Sequence, residues 1–546
     1  MDTYYKILEN PDSCTEYTYQ RGLNVITCKF IGKYSEETQG NFWFTDLDHL
    51  GEFYHVGSIL AMIKLPTEDP DFRMKKIDNC WLANKIIICE TYSLYEMSTY
   101  EKFGLDILLN TDIIAIGCRN NNIEFLDWWL NSGLDLSYDK FAMSSASNAG
   151  HIQILDWWLH SGLKLKYPSS YMEEASARGL SEVLDWWLHS GLKLKYNKGA
   201  INMASAEGRI PILDWWLHSG LELKYDEQAI NMASGSGLLP ILNWWLHSGL
   251  ELKYDEKAIN LASRSGLIPI LNWWLYSGLE LKYDVEAINM ASFSGHIDTL
   301  SWWVNSGLKL KYDKRALTHF YTTKQIDVLN WWLHSGLELI YDTGAISYAC
   351  ENDHIDILDW WLQSGLKLKY DVAAMNGASY CNQINSLDWW IKSGLELKYD
   401  ERAIDNASFG GKIEVLDWWL KSGLELKYTT ESMDIASAMG YTKSLDWWLK
   451  SGLELRYSSD AIDSGLLQSR INSIKWWIKS GLVLKYTIDV VGWACEMGHL
   501  EILQSWYDAD LPLGSVGKNI EAAVINKRSE IVNWFRTKGY VSENVF

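Results

Sequence analysis

The sequence lacks the features that define several broad classes of protein. No stretch reaches the roughly 18 uninterrupted apolar residues of a membrane-spanning helix, and the N-terminus has no basic segment followed by an apolar one. Positive charge is scarce, with 49 Lys and Arg against 70 Asp and Glu and a formal net charge of -21. A polyanion would meet net repulsion. We therefore expect a soluble intracellular protein that binds neither membrane nor nucleic acid.

Cysteine is sparse and scattered, and recognisable catalytic motifs are missing. The eight cysteines contain no CxxC pair, which is typical of free thiols in a reducing compartment, and they are Cys14, Cys28, Cys80, Cys89, Cys118, Cys350, Cys381 and Cys495. With His49 and His55, those near the N-terminus lack the spacing of a zinc site. The sequence also has no Walker loop, GxSxG, HExxH or kinase motif. We expect no enzyme activity, metal or cofactor.

Tryptophan, in contrast, is abundant and regularly spaced. Of 31 tryptophans, 26 form 13 Trp-Trp pairs that recur every 29 residues, from Trp128-Trp129 to Trp476-Trp477. The same spacing continues to Ser505-Trp506 and Trp534-Phe535, so the array contains about 15 units. A fixed period of this length is the signature of a repeat array. We place the array at residues 110–544.

Each unit predicts two short helices. In the unit that begins at Asp255, apolar residues around Ala258 and Ala262 predict a first helix that Gly266 closes, and the ILNWWL segment predicts a second that stops at Gly278. Asp, Ser or Thr stands at the first cap in most units, at positions 226, 255, 284, 313, 342, 371, 400, 429, 458 and 487. A leucine-rich repeat is disfavoured, because the unit has no Asn or Cys for its internal ladder. The expected fold is an all-α solenoid of helix-turn-helix repeats.

Residues 1–109 lack the repeat and predict a small α+β or mostly β domain. Apolar and β-branched residues alternate in segments 41–45, 58–64 and 85–88, whereas 66–70 is rich in turn residues. This domain could cap the apolar end of the array. It could also be an independent recognition or catalytic module.

The repeat resembles the ankyrin repeat. The stretch AINMASFSGHIDTLSWWVNSGLKL, from Ala287 to Leu310, is similar to the ankyrin pattern of two helices joined by a Gly-His turn. It is about four residues shorter than the ankyrin unit and lacks the Thr-Pro-Leu-His segment, so we expect the ankyrin finger to be short or absent. Together with N-terminal segments such as GLNVI (22–26) and GNFWFTDLDHLGEFY (40–54), the repeat resembles the ankyrin proteins of giant viruses of amoebae.

The resemblance implies a monomeric scaffold that binds a protein partner, a host factor, through the concave face of the array, in host cytoplasm or virion. Two alternatives remain open. The chain could be a structural or assembly component of a viral particle, or its N-terminal domain could carry an unrecognised activity that the repeats target.

The periodic rows of side chains each have a structural interpretation, and the tryptophan, histidine and lysine rows also have a functional alternative. The Trp rows could form a stacking track but fit a core better, with the second Trp in the apolar stripe and the first facing the neighbouring unit. The tyrosine row is expected over the seams between repeats, with its hydroxyls near solvent. His160, its four repeat equivalents and the lysines that replace them later predict a solvated helix end rather than a metal site. The lysines of the LKY segments predict a mixed, solvated edge rather than a phosphate track.

One position varies far more between units than its neighbours do. It follows the Ala-Ser of the first helix, and we name it the variable column, which comprises Asn148, Ala177, Ala206, Gly235, Arg264, Phe293, Thr322, Glu351, Tyr380, Phe409, Ala438, Leu467 and Glu496. The matching ankyrin position lies in the partner-binding groove. Exposed aromatic residues and arginine dominate binding energies. We therefore predict Arg264, Phe293, Tyr380 and Phe409 as partner contacts, against the alternative of neutral drift at a solvent position.

Overall fold

The structure is a computed structural model that describes residues 3–8, 19–26, 41–135, 137–168, 170–318 and 325–540. Cys14, Cys28 and Thr322 lie outside these residues. The chain divides into two compact units. One comprises Met1–Ala262 and Pro269–Tyr283, and the other comprises Ser263–Ile268 and Asp284–Phe546.

The N-terminal part is rich in strands, as the sequence predicts. Its strands are β1 (Tyr4–Leu8), β2 (Gly22–Val25), β3 (Phe42–Phe44), β4 (Ile59–Lys64), β5 (Met74–Ile77), β6 (Cys80–Ala83) and β7 (Lys85–Ser93). They form two antiparallel sheets in the orders β1-β4-β7-β2 and β3-β6-β5. In these sheets Tyr5 pairs with Met62, and Phe42 pairs with Ala83. Phe42, Phe44 and Ile63 are fully buried in the core between them.

Helix α1 (Met97–Phe103) connects the sheets to the array of helix pairs. The first helices of the described pairs are α2 (Ile113–Arg119), α4 (Lys140–Ala149), α6 (Tyr171–Arg178), α8 (Gly199–Ala206), α10 (Gln228–Gly235), α12 (Lys257–Arg264), α14 (Glu286–Phe293), α17 (Gly344–Glu351), α19 (Val372–Tyr380), α21 (Arg402–Phe409), α23 (Glu431–Met439), α25 (Asp460–Leu467), α27 (Val490–Met497) and α29 (Val516–Ile525). In the unit that begins at Asp313, a short 3-10 helix, Lys314–Leu317, stands at this place.

The second helices carry the tryptophan pairs. They are α3 (Ile123–Ser132), α5 (Ile152–His160), α7 (Ser181–His189), α9 (Ile210–His218), α11 (Leu239–His247), α13 (Ile268–Tyr276), α15 (Ile297–Asn305), α16 (Gln325–His334), α18 (Ile355–Gln363), α20 (Ile384–Ser393), α22 (Ile413–Lys421), α24 (Thr442–Lys450), α26 (Ile471–Lys479), α28 (Leu500–Asp508) and α30 (Ser529–Thr537). The fold is therefore a helical repeat solenoid with a small strand-rich N-terminal domain. Among the described residues, no helix combines the length and the apolar character that crossing a bilayer requires.

The predicted helix ends follow from local chemistry. Gly266 and Gly278 adopt the left-handed conformation that ends a helix (φ 70° and 78°). At the other end, the Asp371 carboxylate accepts a hydrogen bond of 2.9 Å from the Ala373 N–H. The prediction for Thr487 is wrong, because Asp489 caps α27 by accepting from the Gly492 N–H at 3.0 Å. Thr487 instead bonds to Asp463 in the preceding repeat.

The second tryptophan of each pair forms the core, as predicted. Trp245 is 1% exposed beside Ile241 and Leu242, and burial of an indole removes roughly 200 Å² from water. Its Nε1–H donates to the Ser205 Oγ at 2.9 Å, and that hydroxyl donates to the Ala229 carbonyl at 2.5 Å. The buried polar atoms therefore have partners in neighbouring repeats, as burial requires.

The first tryptophan and the tyrosine also join neighbouring repeats. The Trp244 Nε1–H donates to the Asp214 carboxylate one repeat earlier at 2.7 Å, as expected for an indole that faces the next unit. Tyr225 packs on Trp245 with ring centroids 4.9 Å apart, and its hydroxyl donates to the Glu251 carbonyl at 3.0 Å. The tyrosine hydroxyl is thus a structural donor, a role that the periodicity did not predict.

Candidate partner-binding surface

The variable column lies at the C-terminal ends of first helices. Tyr380 and Phe409 are the last residues of α19 and α21, and Arg264 and Phe293 are the last residues of α12 and α14. A side chain at a helix end can extend past the buried face of its own helix. The column therefore varies without disturbing the core, whereas the serine that precedes it is buried and bonded across repeats.

Exposure differs along the column. The Tyr380 side chain is 48% exposed, Arg264 is exposed, and Phe293 and Phe409 are half-buried. The surface thus offers apolar area without leaving whole rings in water. Single exposed apolar residues are common on soluble proteins, so the significance of this surface depends on how its members are grouped.

Tyr380 and Phe409 are the predicted contact residues that the structure brings together. Their ring centroids lie 6.2 Å apart, and the ring planes are within 9° of parallel. They come from consecutive repeats, so that each ring holds the other in place on the surface. Pre-positioned aromatic rings lose little conformational entropy on binding. This pair can serve as a rigid anchor for a partner side chain.

Arg264 and Phe293 stand one repeat apart, at the ends of consecutive first helices. Just beyond Arg264, the His296 imidazole lies 2.7 Å from the position that a Cβ would take on Gly266. This glycine has a positive φ and leaves room for the ring. The structure places both candidates at the C-terminal ends of their helices.

An acidic and a basic side chain act electrostatically on Cys381, the residue that follows Tyr380. Burial raises the pKa of the Cys381 thiol, which follows Tyr380 directly; the Glu351 carboxylate raises it further and the Lys412 ammonium opposes both. Glu351 and Lys412 are therefore near enough to Cys381 to act on it electrostatically. A partner side chain that reaches Cys381 beside Tyr380 would therefore meet the fields of both charges.

Two further side chains in this region are exposed and were not among the predicted partner contacts. Leu467 belongs to the variable column and is 72% exposed at the end of α25, and Tyr441, before α24, is 41% exposed. Leu467 was not among the predicted contacts, which were restricted to aromatic residues and arginine. Tyr441 lies outside the column, and its exposure depends on the turn between two helices. The sequence signal for Leu467 was the presence of a large apolar residue at a position of the variable column.

The histidine and lysine rows have structural partners. The Nδ1 of His160 lies 2.8 Å from the Asp156 carbonyl oxygen, and four equivalent histidines repeat this contact at the ends of second helices (His189, His218, His247 and His334). Lys253 Nζ lies 4.7 Å from the Tyr225 ring centroid and donates to the Tyr225 carbonyl at 3.4 Å. Within the described ranges, no group of three or more His, Cys, Asp or Glu is arranged to hold a metal ion.

Comparison with known proteins gives relatives over part of the chain. No family model matches the sequence. An uncharacterised protein of Acanthamoeba polyphaga mimivirus is 39% identical over 90 residues, which are 16% of this chain and 29% of that protein. Two proteins of the same virus, named as ankyrin repeat proteins, are 28% identical over 141 residues (24% of this chain, 42% of theirs) and 34% identical over 104 residues (17% and 34%).

The matched part of the chain thus spans 29% to 42% of the length of these relatives. The helix pairs, their glycine-terminated turns and the named relatives define a protein built from ankyrin-type repeats. More particularly, several proteins of Acanthamoeba polyphaga mimivirus that are named as ankyrin repeat proteins are homologues of this chain over part of its length. The 29-residue period and the tryptophan pairs distinguish its repeats from the longer ankyrin unit.

Proposed function

We propose that the chain is a non-enzymatic scaffold that binds a protein partner, a host factor, through the concave face of its repeat array, inside the infected cell. The stacked pair Tyr380–Phe409 is the observation that carries the proposal. The pair presents aromatic area on a surface that varies between repeats, next to cross-repeat contacts of the preceding serines that recur along the array. Arg264 and Phe293 extend the contact surface.

The side chains that recur along the array and those of the variable column have different roles in this proposal. The tryptophan, serine and tyrosine side chains are engaged in bonds between repeats, and the lysines lie over tyrosine rings. These positions therefore build the scaffold. The side chains of the variable column, in contrast, differ from repeat to repeat, so they can be selected for a partner.

The N-terminal domain acts as a cap for the array in this proposal. Tyr95 packs against Phe125 of the first repeat with ring centroids 4.8 Å apart, and its hydroxyl accepts a hydrogen bond of 2.9 Å from Asn120. These contacts cover apolar and polar groups at the end of the first helix pair. An exposed terminal repeat would otherwise lower solubility.

Affinity capture from amoebal host lysate tests the proposal. The full chain is compared with the triple variant Phe293→Ala, Tyr380→Ala, Phe409→Ala. The matched control is Phe141→Ala with Tyr276→Ala, which removes exposed aromatic rings (58% and 81% exposed) outside the column. We expect proteins captured by the wild type to be reduced at least tenfold by the triple variant and kept by the control. Equal capture by all three chains would contradict the proposal.

A further inference from the structure

The chain repeatedly supplies a donor to one of the last two carbonyls of a first helix. Arg209 Nε donates to the Ala177 carbonyl at 2.9 Å, and Arg528 Nε donates to the Glu496 carbonyl at 3.1 Å. Gln383 Nε2 does the same for the Glu351 carbonyl at 3.0 Å. In each case the donor stands 32 residues after the carbonyl, in the turn of the next repeat. The final carbonyls of a helix lack intrahelical partners and carry the negative end of its dipole, so a guanidinium is well suited to this place.

At Phe409 this arrangement lacks its donor. The residue 32 positions later is Tyr441, which occupies the same place as the arginines. Its Cδ1 lies 3.2 Å from the Cβ position of Gly411, just as the Arg209 Cδ lies 3.4 Å from the Cβ position of Gly179. Within the residues that the structure describes, the Phe409 carbonyl oxygen accepts no hydrogen bond. The Phe409 carbonyl oxygen can therefore accept a hydrogen bond from a bound partner.

The stacked aromatic pair stands at the same helix end. Tyr380 and Phe409 present ring faces, and a guanidinium within about 6 Å of a ring centroid is attracted to its π electrons. Arginine can stack on a ring and still donate in the plane of its guanidinium, whereas lysine offers a compact point charge. The net charge of -21 favours a cationic partner overall. One arginine side chain could thus satisfy both the rings and the carbonyl.

We propose that the protein partner inserts an arginine at this position, with its guanidinium stacked on Tyr380 and Phe409 and donating to the Phe409 carbonyl oxygen. This inference rests on the proposed function, because the arginine belongs to the bound protein. The neighbouring Lys412 opposes a second cation. It lies close to this helix end, with its Cε 3.0 Å from the position that a Cβ would take on Gly410.

The test uses the full chain and three pools of fluorescent nine-residue peptides with randomised flanks. The central residue is arginine, lysine or citrulline, which keeps the shape of arginine without its charge. We expect the arginine pool to bind at least fivefold more than the citrulline pool at equal concentration, with the lysine pool between them. Lys412→Gln is expected to strengthen binding of the arginine pool about twofold.

Two substitutions make the test specific. Tyr441→Arg supplies an internal arginine at the place that Arg209 holds in its own repeat, so binding of the arginine pool should fall to the citrulline level. Tyr441→Phe keeps the ring and should bind like the wild type. Hydrogen exchange of residues 402–450 checks that both variants stay folded. Equal binding of the arginine and citrulline pools, or full binding by Tyr441→Arg, would overturn the inference.

The outcomes separate this inference from the proposed function. If the triple variant loses captured host proteins while the arginine and citrulline pools bind the wild type equally, the scaffold function stands and the arginine site is wrong. If the arginine pool binds as expected while column substitutions leave host capture unchanged, the site stands and the assignment of the column to the host partner fails.

Discussion

Two regions of the array differ in how one buried position of the first helix forms its hydrogen bonds to the next repeat. In α8, α10, α14 and α19 the position is an asparagine that donates to a cap aspartate 24 residues later, as Asn231 Nδ2 does to the Asp255 carboxylate at 2.7 Å. In α21, α23 and α25 it is an aspartate that accepts instead. The Asp434 carboxylate accepts from the Ser458 hydroxyl at 2.6 Å and from the Ser458 N–H at 2.9 Å.

The difference shows that the array keeps a donor–acceptor pair between repeats rather than a residue type. It also moves a negative charge. In the earlier region the carboxylate lies at the helix start, where the Arg402 side chain, against the effect of burial, lowers the pKa of Asp400. In the later region burial raises the pKa of Asp434, although hydrogen bonds from Ser458 oppose it. Substitutions that convert the asparagine–aspartate pair of one region into the aspartate–serine pair of the other should therefore show what each pair needs for stability.

Breaking the pair in the earlier region should have the largest effect. Asn231 is fully buried, and its Nδ2 lies 2.7 Å from the Asp255 Oδ1. Asn231→Asp would replace this donor with a carboxylate oxygen and so place two carboxylates against each other. We expect a loss of about 3 kcal/mol, typical of an unpaired buried charge. Long repeat arrays do not unfold in one step, so the measurement is hydrogen exchange of residues 226–262.

A second substitution should restore that loss. Asn231→Asp combined with Asp255→Ser recreates the pair that Asp434 and Ser458 form in the later region. Exchange protection in the double variant should return to within about 1 kcal/mol of the wild type. Equal protection in Asn231→Asp and wild type would mean that the two versions are not alternatives for one requirement.

Removing a shared feature should affect both regions equally. Ser205 and Ser437 each accept from a buried indole, Trp245 at 2.9 Å and Trp477 at 2.7 Å, and each donates to a buried carbonyl. Replacing either serine with alanine leaves the buried indole N–H without an acceptor, which should cost about 2 kcal/mol. Local hydrogen exchange measures the two losses. Serine to cysteine is the milder control, because Cys350 holds this place for Trp390. Clearly unequal losses would show that the regions differ beyond the Asn–Asp exchange.

Much of this fold follows from the sequence alone. The 29-residue period, the cap residues and the glycines predicted the helix pairs, because these signals are local. The burial of Trp245 follows from its place in an apolar stripe. The partners of Tyr225 and Lys253 could not be predicted, since they depend on the rotation and rise from one repeat to the next. The exchange of Asn231 for Asp434 was visible in the sequence, but its meaning required knowing that positions 24 residues apart meet.

The candidate surface was less predictable than the scaffold. Variation between repeats identified the column, and the structure adds that Tyr380 stacks on Phe409. That contact depends on the directions of two helix ends in consecutive repeats. The lack of a donor at the Phe409 carbonyl depends on the same geometry, because Tyr441 is informative only beside the arginines that occupy its place in other repeats.

The smallest expected effect concerns pH. Because the pKa of Asp434 is raised in the folded chain, the folded state holds this proton more tightly than the unfolded state. The contribution of Asp434 to stability should therefore increase as pH falls through its folded pKa towards 3.8, and decrease as pH rises. Asp434→Asn keeps an acceptor for the Ser458 N–H and gains a donor for its hydroxyl. At pH 7 it should increase protection of residues 431–467 by about 1 kcal/mol, with the gain shrinking in acid.

Asp400 provides the opposite case, since its pKa is lowered. Its stabilising contribution should be present above about pH 3.8 and disappear as pH falls through the folded pKa. Asp400→Asn should consequently reduce protection of residues 372–409 at pH 7, where Asp434→Asn increases protection of its own repeat. Hydrogen exchange of both variants against the wild type, at the same pH from 7 to 4, measures the two signs in one experiment. If both substitutions changed protection in the same direction, the position of the charge would not be what separates the two regions.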